Sequence, residues 1–345
     1  MRRLNDRFPS ASLTEDELVA RIAQALDAPP RTLRVGIGDD AAAWKTHPHH
    51  LSLLTTDMLV DGVHFRTAQT SPESLGRKAL AENLSDIAAM GGAPMVAVVA
   101  LGLTAEVDDD WIRQFYRGMA ALAREARCAV AGGDIVRAPV LTIAITVAGE
   151  VPASRLLTRA GAKPNDIAAI TGPLGRAAAG LKLIEATKPP QVEANALATL
   201  RNAYLAPTAR LREGQYFGSR RAVHALMDLS DGLSTDGARM ARASGLDLVL
   251  DAASLAAGDD VSAAAAHLGL NAADLVLNGG DDYELLAAID PRAYAHVAAT
   301  YRKRFGRPLI AIGRFTEGDS RVWIERLGNR EPVAATGYDH VRRLH

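Results

Sequence analysis

The 345-residue sequence predicts a two-domain protein of mixed α/β (α+β) class, and three observations carry that expectation. The chain is longer than one hydrophobic core ordinarily supports. Short apolar runs such as "LSLLTTDMLV" and "LTIAITVAGEV" alternate with longer stretches of helical period. Finally, "VPASRLLTRAGAKPND" carries Pro152, Gly161 and Pro164, the punctuation of a change of element. The boundary is placed there, near residue 152, giving domains 1–152 and 153–345.

Taken in order, Thr14 and Glu17 form a capping box that opens a first amphipathic helix. "LRVGIGDDAAAW" reads as a strand entering a glycine turn, and "LSLLTTDMLVDGVHF" as a second strand. In "KALAENLSDIAAMGGAP", residues 78–94, Leu80, Leu84, Ile87 and Met90 make the apolar face of a helix that ends at a double glycine. Asn83 and Asp86 share its second face. A buried strand at 95–103, an acid-started helix from "DDDWIRQF" and the strands "CAVAGGDIV" and "PVLTIAITVAGEV" complete the first half. The second half reads as strand "IAAIT", helix "GRAAAGLKLIE", an Ala-rich helix to about Tyr204, strand "AVHALMDLS" and helix "TDGARMARAS". Strand "LDLVLD", a helical region near 260–270, "LVLNGGDDYELLAAI", "PLIAIGRF", "VWIERL" and a terminal "GYDH" follow.

Composition narrows the function. With 39 basic against 40 acidic residues the net charge is −1, which argues against a nucleic-acid partner held by a basic face. A single cysteine, Cys128, excludes disulfide staples and cysteine metal sites, and fits a small core residue in a reducing compartment. The amino terminus has no apolar signal core, so a cytoplasmic protein is expected. Residues 87–105 carry no charge, but Gly91, Gly92 and Pro94 break the run, so no membrane span is expected.

The chemistry sits in the aspartates. An apolar element repeatedly stops at a glycine or small polar residue beside Asp: "GIGDDAA" (Asp39, Asp40), "LLTTDM" (Asp57), "NLSDIAA" (Asp86), "AGGDIV" (Asp134), "MDLSDG" (Asp228, Asp231) and, less clearly, "NGGDDYE" (Asp281, Asp282). Any one of these reads as a turn or cap; their recurrence points to convergence. Carboxylates about 4 Å apart repel by roughly 4 kcal/mol per pair at an effective dielectric near 20, so a cluster implies a cation. Oxygen-only ligands select Mg2+ or a similar hard ion, which normally partners phosphate. No phosphate-cradling loop is present: "GRAAAGLK" has Leu181 where a P-loop needs Lys, and reads as a helix start offering N–H groups to an anion. His47, His49 and His50 read as an exposed loop, and Trp44 and Trp111 as packing residues.

The motifs "GIGDDAA", "TTDMLVDGVHF", "ALAENLSDIAAMGGAP", "GGDIVRAP", "LTRAGAKPND", "MDLSDGL", "GGDDYEL" and "GYDH" together resemble those of the thiamine-monophosphate kinases, within the aminoimidazole ribonucleotide synthetase superfamily. They stand in that family's order from about residue 34 to 340. The resemblance implies an amino-terminal α/β domain that forms a barrel with its twin in a homodimer, a carboxy-terminal α+β domain, and an active site between them. The implied reaction moves the γ-phosphoryl of ATP onto thiamine monophosphate with Mg2+. It also implies metal-site residues Asp40, Thr55, Thr56, Asp57, Asp86, Asp134, Asp228 and Asp231. ATP contacts would be Gly133, Asp134, Arg159 and Ser230, and thiamine contacts His64, Asp281 and Tyr338. Asp57, Asp86, Asp134 and Arg159 would carry the chemistry. Tyr116 falls near an expected adenine contact but reads better as core, and Asp281 stands where the family often has Glu. Two alternatives remain: another ATP-dependent superfamily enzyme acting on an amide or formyl group, and a non-catalytic Mg-nucleotide sensor. A selenophosphate synthetase is disfavoured because no Cys precedes "GIGDD".

Overall fold

The computed structural model describes Ile22, residues 24–26, Ala28, Leu33–Val35, Ala43–Trp44 and residues 46–337. Thr14, Glu17, Asp39, Asp40 and Tyr338 lie outside the described residues, as does the rest of "GYDH". The chain divides into two compact units, Met1–Ile87 with Ala93–Ala153, and Ala88–Gly92 with Ser154–His345.

The first unit contains β1 (Leu33–Val35), β2 (Ala43–Trp44), β3 (His50–Val60), most of α1 (Pro72–Ala89), β4 (Ala93–Leu103), α2 (Asp109–Ala126), β5 (Ala129–Arg137) and β6 (Thr142–Pro152). Its main sheet has the spatial order β3-β6-β4-β5, so β3 and β5 are its two edges. Only β4 and β5 run parallel, and α2 is their crossover. Helix α1 begins well before residue 78 because Pro72 suits a first helical position and the Ser71 hydroxyl accepts the Ser74 N–H at 3.2 Å. Gly91, at φ 71°, turns the chain out of it. Helix α2 is capped by Asp108, which accepts the Trp111 N–H at 2.7 Å.

Leu80, Leu84 and Ile87 of α1, and Phe115 and Met119 of α2, are buried, as are Leu59, Val99, Ile143 and Ile145 of the sheet. The helices therefore take one sheet face. They approach closely, since a Cβ on Gly76 would come within 1.9 Å of the Phe115 carbonyl oxygen. The other face is open. Leu54 is 76% exposed, Met58 58% and Val136 54%. The expectation of a buried strand at 95–103 is corrected here: β4 exposes Val98 and Ala100, which lie on the open face.

The second unit holds β7 (Ile167–Ile170), α3 (Arg176–Glu185), α4 (Ala194–Leu205), α5 (Leu211–Gly218), β8 (Val223–Leu229), α6 (Leu233–Ser244), β9 (Asp247–Asp251), α7 (Asp259–Leu268) and α8 (Ala272–Asn278). It ends with β10 (Glu284–Ile289), α9 (Pro291–Phe305), β11 (Ile310–Thr316), β12 (Val322–Arg326) and β13 (Asn329–Pro332). The sheet order is β13-β12-β9-β11-β7-β10-β8. Alternate residues of β10 feed two cores: Leu286 and Ala288 pack with Leu233 and Met240 of α6, while Leu285, Ala287 and Ile289 pack with Tyr216, Phe217 and Tyr301 of α5 and α9. A third cluster joins α3, α4, α7 and α8 through Leu183, Leu200, Val261 and Leu275.

Candidate functional site

In the first unit, β3 and α1 supply one group. Thr55 and Asp57, two residues apart on β3, share a face, and the Thr55 hydroxyl donates to the Asp86 carboxylate on α1. Asn83, one turn before Asp86, is fully buried rather than part of a solvated face. Its Nδ2 donates to the Ala79 carbonyl at 3.2 Å while its Oδ1 has no partner among the described residues. Thr56 points the other way and donates to the Ile145 carbonyl at 3.1 Å. His64 follows β3, and the Val60 N–H donates to its Nδ1 at 3.0 Å. That bond assigns the proton of the neutral ring to Nε2.

Asp134 stands apart from this group. Asp57 pairs across to Ile145, which pairs to Val99 and then Gly133, on the covered side of the sheet. Asp134 lies in the next row, with Ala100, Ala144 and Met58, on the open side. The two carboxylates thus sit on opposite edges and opposite faces, three strand spacings or about 14 Å apart across the sheet. Gly133 has a steric reason, since a Cβ there would meet the Val99 carbonyl oxygen at 1.8 Å.

In the second unit three loops meet. Asp228, the penultimate residue of β8, is buried, and Ser230 and Asp231 lie in the turn before α6. The Asp281 N–H donates to the Ser230 carbonyl at 2.8 Å and the Tyr283 N–H to the Leu229 carbonyl at 2.9 Å, so the "GGDDY" loop lies on the "LSDG" turn. Gly337, the residue before Tyr338, backs onto the same turn: a Cβ on it would be 2.1 Å from the Asp231 carbonyl oxygen. Ser230, Asp231, Asp281 and the approach to Tyr338 are therefore gathered at one end of the sheet. Arg159 is exposed, with its carbonyl accepting the Ser244 hydroxyl at 3.3 Å.

Two buried carboxylates brace these loops. Asp236 of α6 accepts the Ser230 and Asp231 N–H groups at 3.0 and 2.9 Å, and Arg239 donates both to it and to Asp231. Burial, followed by the charge of Asp231, pushes the Asp236 carboxyl up to about 6. Asp282 accepts the Gly175 N–H at 2.7 Å and the Ala177 N–H at 3.3 Å. The start of α3, read from sequence as open to an anion, thus already holds an internal carboxyl group. Burial pushes Asp282 up to about 7, against the downward pull of those two N–H groups. On either side of Asp282, Asp281 and Tyr283 hold left-handed backbone at φ 66° and 49°, and the Tyr283 hydroxyl donates to Asp281 at 3.1 Å. Left-handed backbone in non-glycine residues costs of order 1–3 kcal/mol and persists only where its surroundings over-determine it. Glu284 is a clamp, paired with Arg210 and Arg307 and accepting the Thr171 hydroxyl.

Among the described residues no three His, Cys, Asp or Glu side chains gather into a preformed cation cage. The donors nonetheless suit Mg2+: the Thr55–Asp86 pair with Asp57 beside it offers only hard oxygens. Tyr116 and Cys128 are buried, as core residues should be, and burial raises both their pKa values, the thiol's to about 12. His47 is exposed but bonded to Glu150.

Residues 38–151 match the family "AIR synthase related protein, N-terminal domain". Over 327 residues the chain is 34% identical to the thiamine-monophosphate kinase of Salmonella typhimurium, covering 94% of this chain and 98% of that one. The chain belongs to the thiamine-monophosphate kinase family. The crystal structure of the family member from Stenotrophomonas maltophilia K279a, 32% identical, superposes with a TM-score of 0.77 over 90% of this chain and 95% of that one. AaThiL complexed with AMPPCP and TMP, 29% identical, gives 0.73 over 98% and 99%. The thiamine-monophosphate kinase fold, mixed α/β of the AIR synthase type, is therefore shared along essentially the whole chain.

Proposed function

We propose that this chain transfers the γ-phosphoryl group of ATP directly to thiamine monophosphate, giving thiamine diphosphate and ADP in a Mg2+-dependent reaction. The observation that carries the reading is its near-complete correspondence with AaThiL complexed with AMPPCP and TMP. The convergence of the Ser230, Asp281 and Gly337 loops supports it. Thr55, Thr56, Asp57, Asp86, Asp134, Asp228 and Asp231, with Asp40, would hold Mg2+, which when bound screens phosphate charge. Arg159 would steady the transferring group, and Gly133 and Ser230 would contact ATP. His64, with a donor at Nε2, suits an anionic phosphate better than a base role. No strong base is required, because the acceptor is already an oxyanion at neutral pH. Asp281, braced by Tyr283, and Tyr338 would meet the cationic thiazolium.

A homodimer completes the proposal. The open face with Leu54, Met58, Val98 and Val136 needs a cover, and a second copy presents the same apolar face. Asp134 and Asp57 stand on opposite sheet edges, and Thr56, the neighbour of Asp57, shares the open side with Asp134. We therefore propose that an edge-to-edge junction sets Asp134 of one copy beside Thr56, and thus next to the Asp57–Asp86 group, of the other. No helix among the described residues is long and apolar enough to cross a membrane, and we propose a cytoplasmic location. An ATP-consumption assay with thiamine monophosphate beside an aminoimidazole ribonucleotide precursor tests the reaction. Turnover with the precursor alone would assign the chain to the other superfamily chemistry, and no turnover with either would favour the sensor.

A further inference from the structure

The first turn of α6 carries three consecutive side chains, each of which fastens a different stretch of chain. Ser234, fully buried, donates to the Asn278 side chain at 2.6 Å, at the end of α8 and just before the "GGDDY" loop. Thr235 accepts the Gly337 N–H through its hydroxyl at 3.1 Å. Asp236, also fully buried, takes the Ser230 and Asp231 N–H groups. Successive helical residues point about 100° apart, so one turn can reach three loops at once. The turn is itself anchored, because Leu233, Met240 and Ala241 sit in the sheet core.

We propose that Ser234, Thr235 and Asp236 form a positioning hub that sets the two substrate sides through different contacts. Asp236 holds the Ser230–Asp231 turn for the nucleotide. Thr235 and Ser234 hold the Gly337 and "GGDDY" segments for thiamine monophosphate. This rests on the kinase reading for what each loop binds. A helix cap alone would use one residue and one loop. Here three neighbours bond three segments up to 102 residues distant in sequence.

The test is Asp236→Asn and Thr235→Val, with dissociation constants for AMPPCP and for thiamine monophosphate measured separately by calorimetry, beside thermal melting and turnover. Asp236→Asn keeps one acceptor for the two N–H groups but turns a donor toward Arg239, so AMPPCP binding should weaken about tenfold, and thiamine monophosphate binding by less, about two- to threefold, because the Asp281 N–H rests on the Ser230 carbonyl. Thr235→Val removes a neutral acceptor and should weaken thiamine monophosphate binding about three- to tenfold, leaving AMPPCP unchanged. Equal losses for both ligands in either variant, or unchanged thiamine monophosphate binding in Thr235→Val, overturn the hub. If Asp236→Asn does not fold, Thr235→Val decides alone. Wild-type chain that binds both ligands without turnover ends the kinase reading, while the binding contrast still judges the hub.

Discussion

Replacing Asp282 by Asn should change how the second unit's stability depends on pH. In the folded chain the Asp282 carboxyl titrates near 7, against an ordinary 3.8, with burial the leading cause and the Glu284 and Asp281 charges adding to it. Between those values the folded state holds a proton that the unfolded state has released. Stability therefore falls as pH rises through that window. From pH 5 to pH 8 the wild type crosses about two pH units of it, worth about 3 kcal/mol at 1.36 kcal/mol each. Asn keeps an acceptor for the Gly175 N–H and has no charge to bury. The melting temperature of Asp282→Asn, minus that of the wild type, should thus climb by about 6–12 °C between pH 5 and pH 8, at about 2–4 °C per kcal/mol for a unit of this size. Calorimetry at fixed ionic strength reads this. Parallel melting curves across the range would show that Asp282 is not a buried, titrating carboxyl.

Other perturbations test the proposed reaction and assembly. Arg159→Gln should lower kcat by about a hundredfold or more if the guanidinium meets the transferring phosphoryl, and an unchanged kcat in steady-state assays would remove it from that role. Asp57→Asn should abolish most turnover even at saturating Mg2+, and near-normal rates there would exclude a metal-holding function. If the proposed dimer forms, the wild type should scatter light as a dimer and Met58→Glu as a monomer, because the change sets a charge on each copy at the proposed apolar interface; an unchanged mass would show that this face joins no second copy. Mixing inactive Asp57→Asn and Asp134→Asn chains, with exchange, should restore about a quarter of wild-type activity, since half the dimers are mixed and each has one intact site. No recovery would mean that both residues serve one chain.

The legible parts of the fold were those with one dominant period. The strands at β3, β6 and β8, and helix α2 with Ile112, Phe115 and Met119, follow from spacing alone. Helix α9 is hard to read from sequence because its apolar stripe, Tyr294, Val297, Tyr301 and Phe305, is narrow and interleaved with His296, Arg302, Lys303 and Arg304. Its signals were nevertheless present: Asp290 as cap, Pro291 at the start and Gly306 at the end. Helix α5, one short turn-rich element, gave too few repeats to read. Of the site, the aspartates were visible because glycine or a small polar residue stands beside each, but the expectation that an element stops there is corrected for three of them: Asp57 and Asp134 lie inside β3 and β5, and Asp86 lies inside α1. Asp236 and Thr235 were missed because nothing local distinguishes a loop brace from helix surface; only contacts from distant segments reveal it. The division between Asp57 and Asp134 was equally hidden. Both lie within apolar strands, but which edge each occupies depends on strand order, and no local pattern encodes that.

The strand order has a practical outcome for anyone handling the protein. If the two margins of the first sheet join only between subunits, a lone subunit is half of two catalytic centres and the whole of none. Specific activity would then drop on dilution and return on concentration, while each chain stays fully folded throughout.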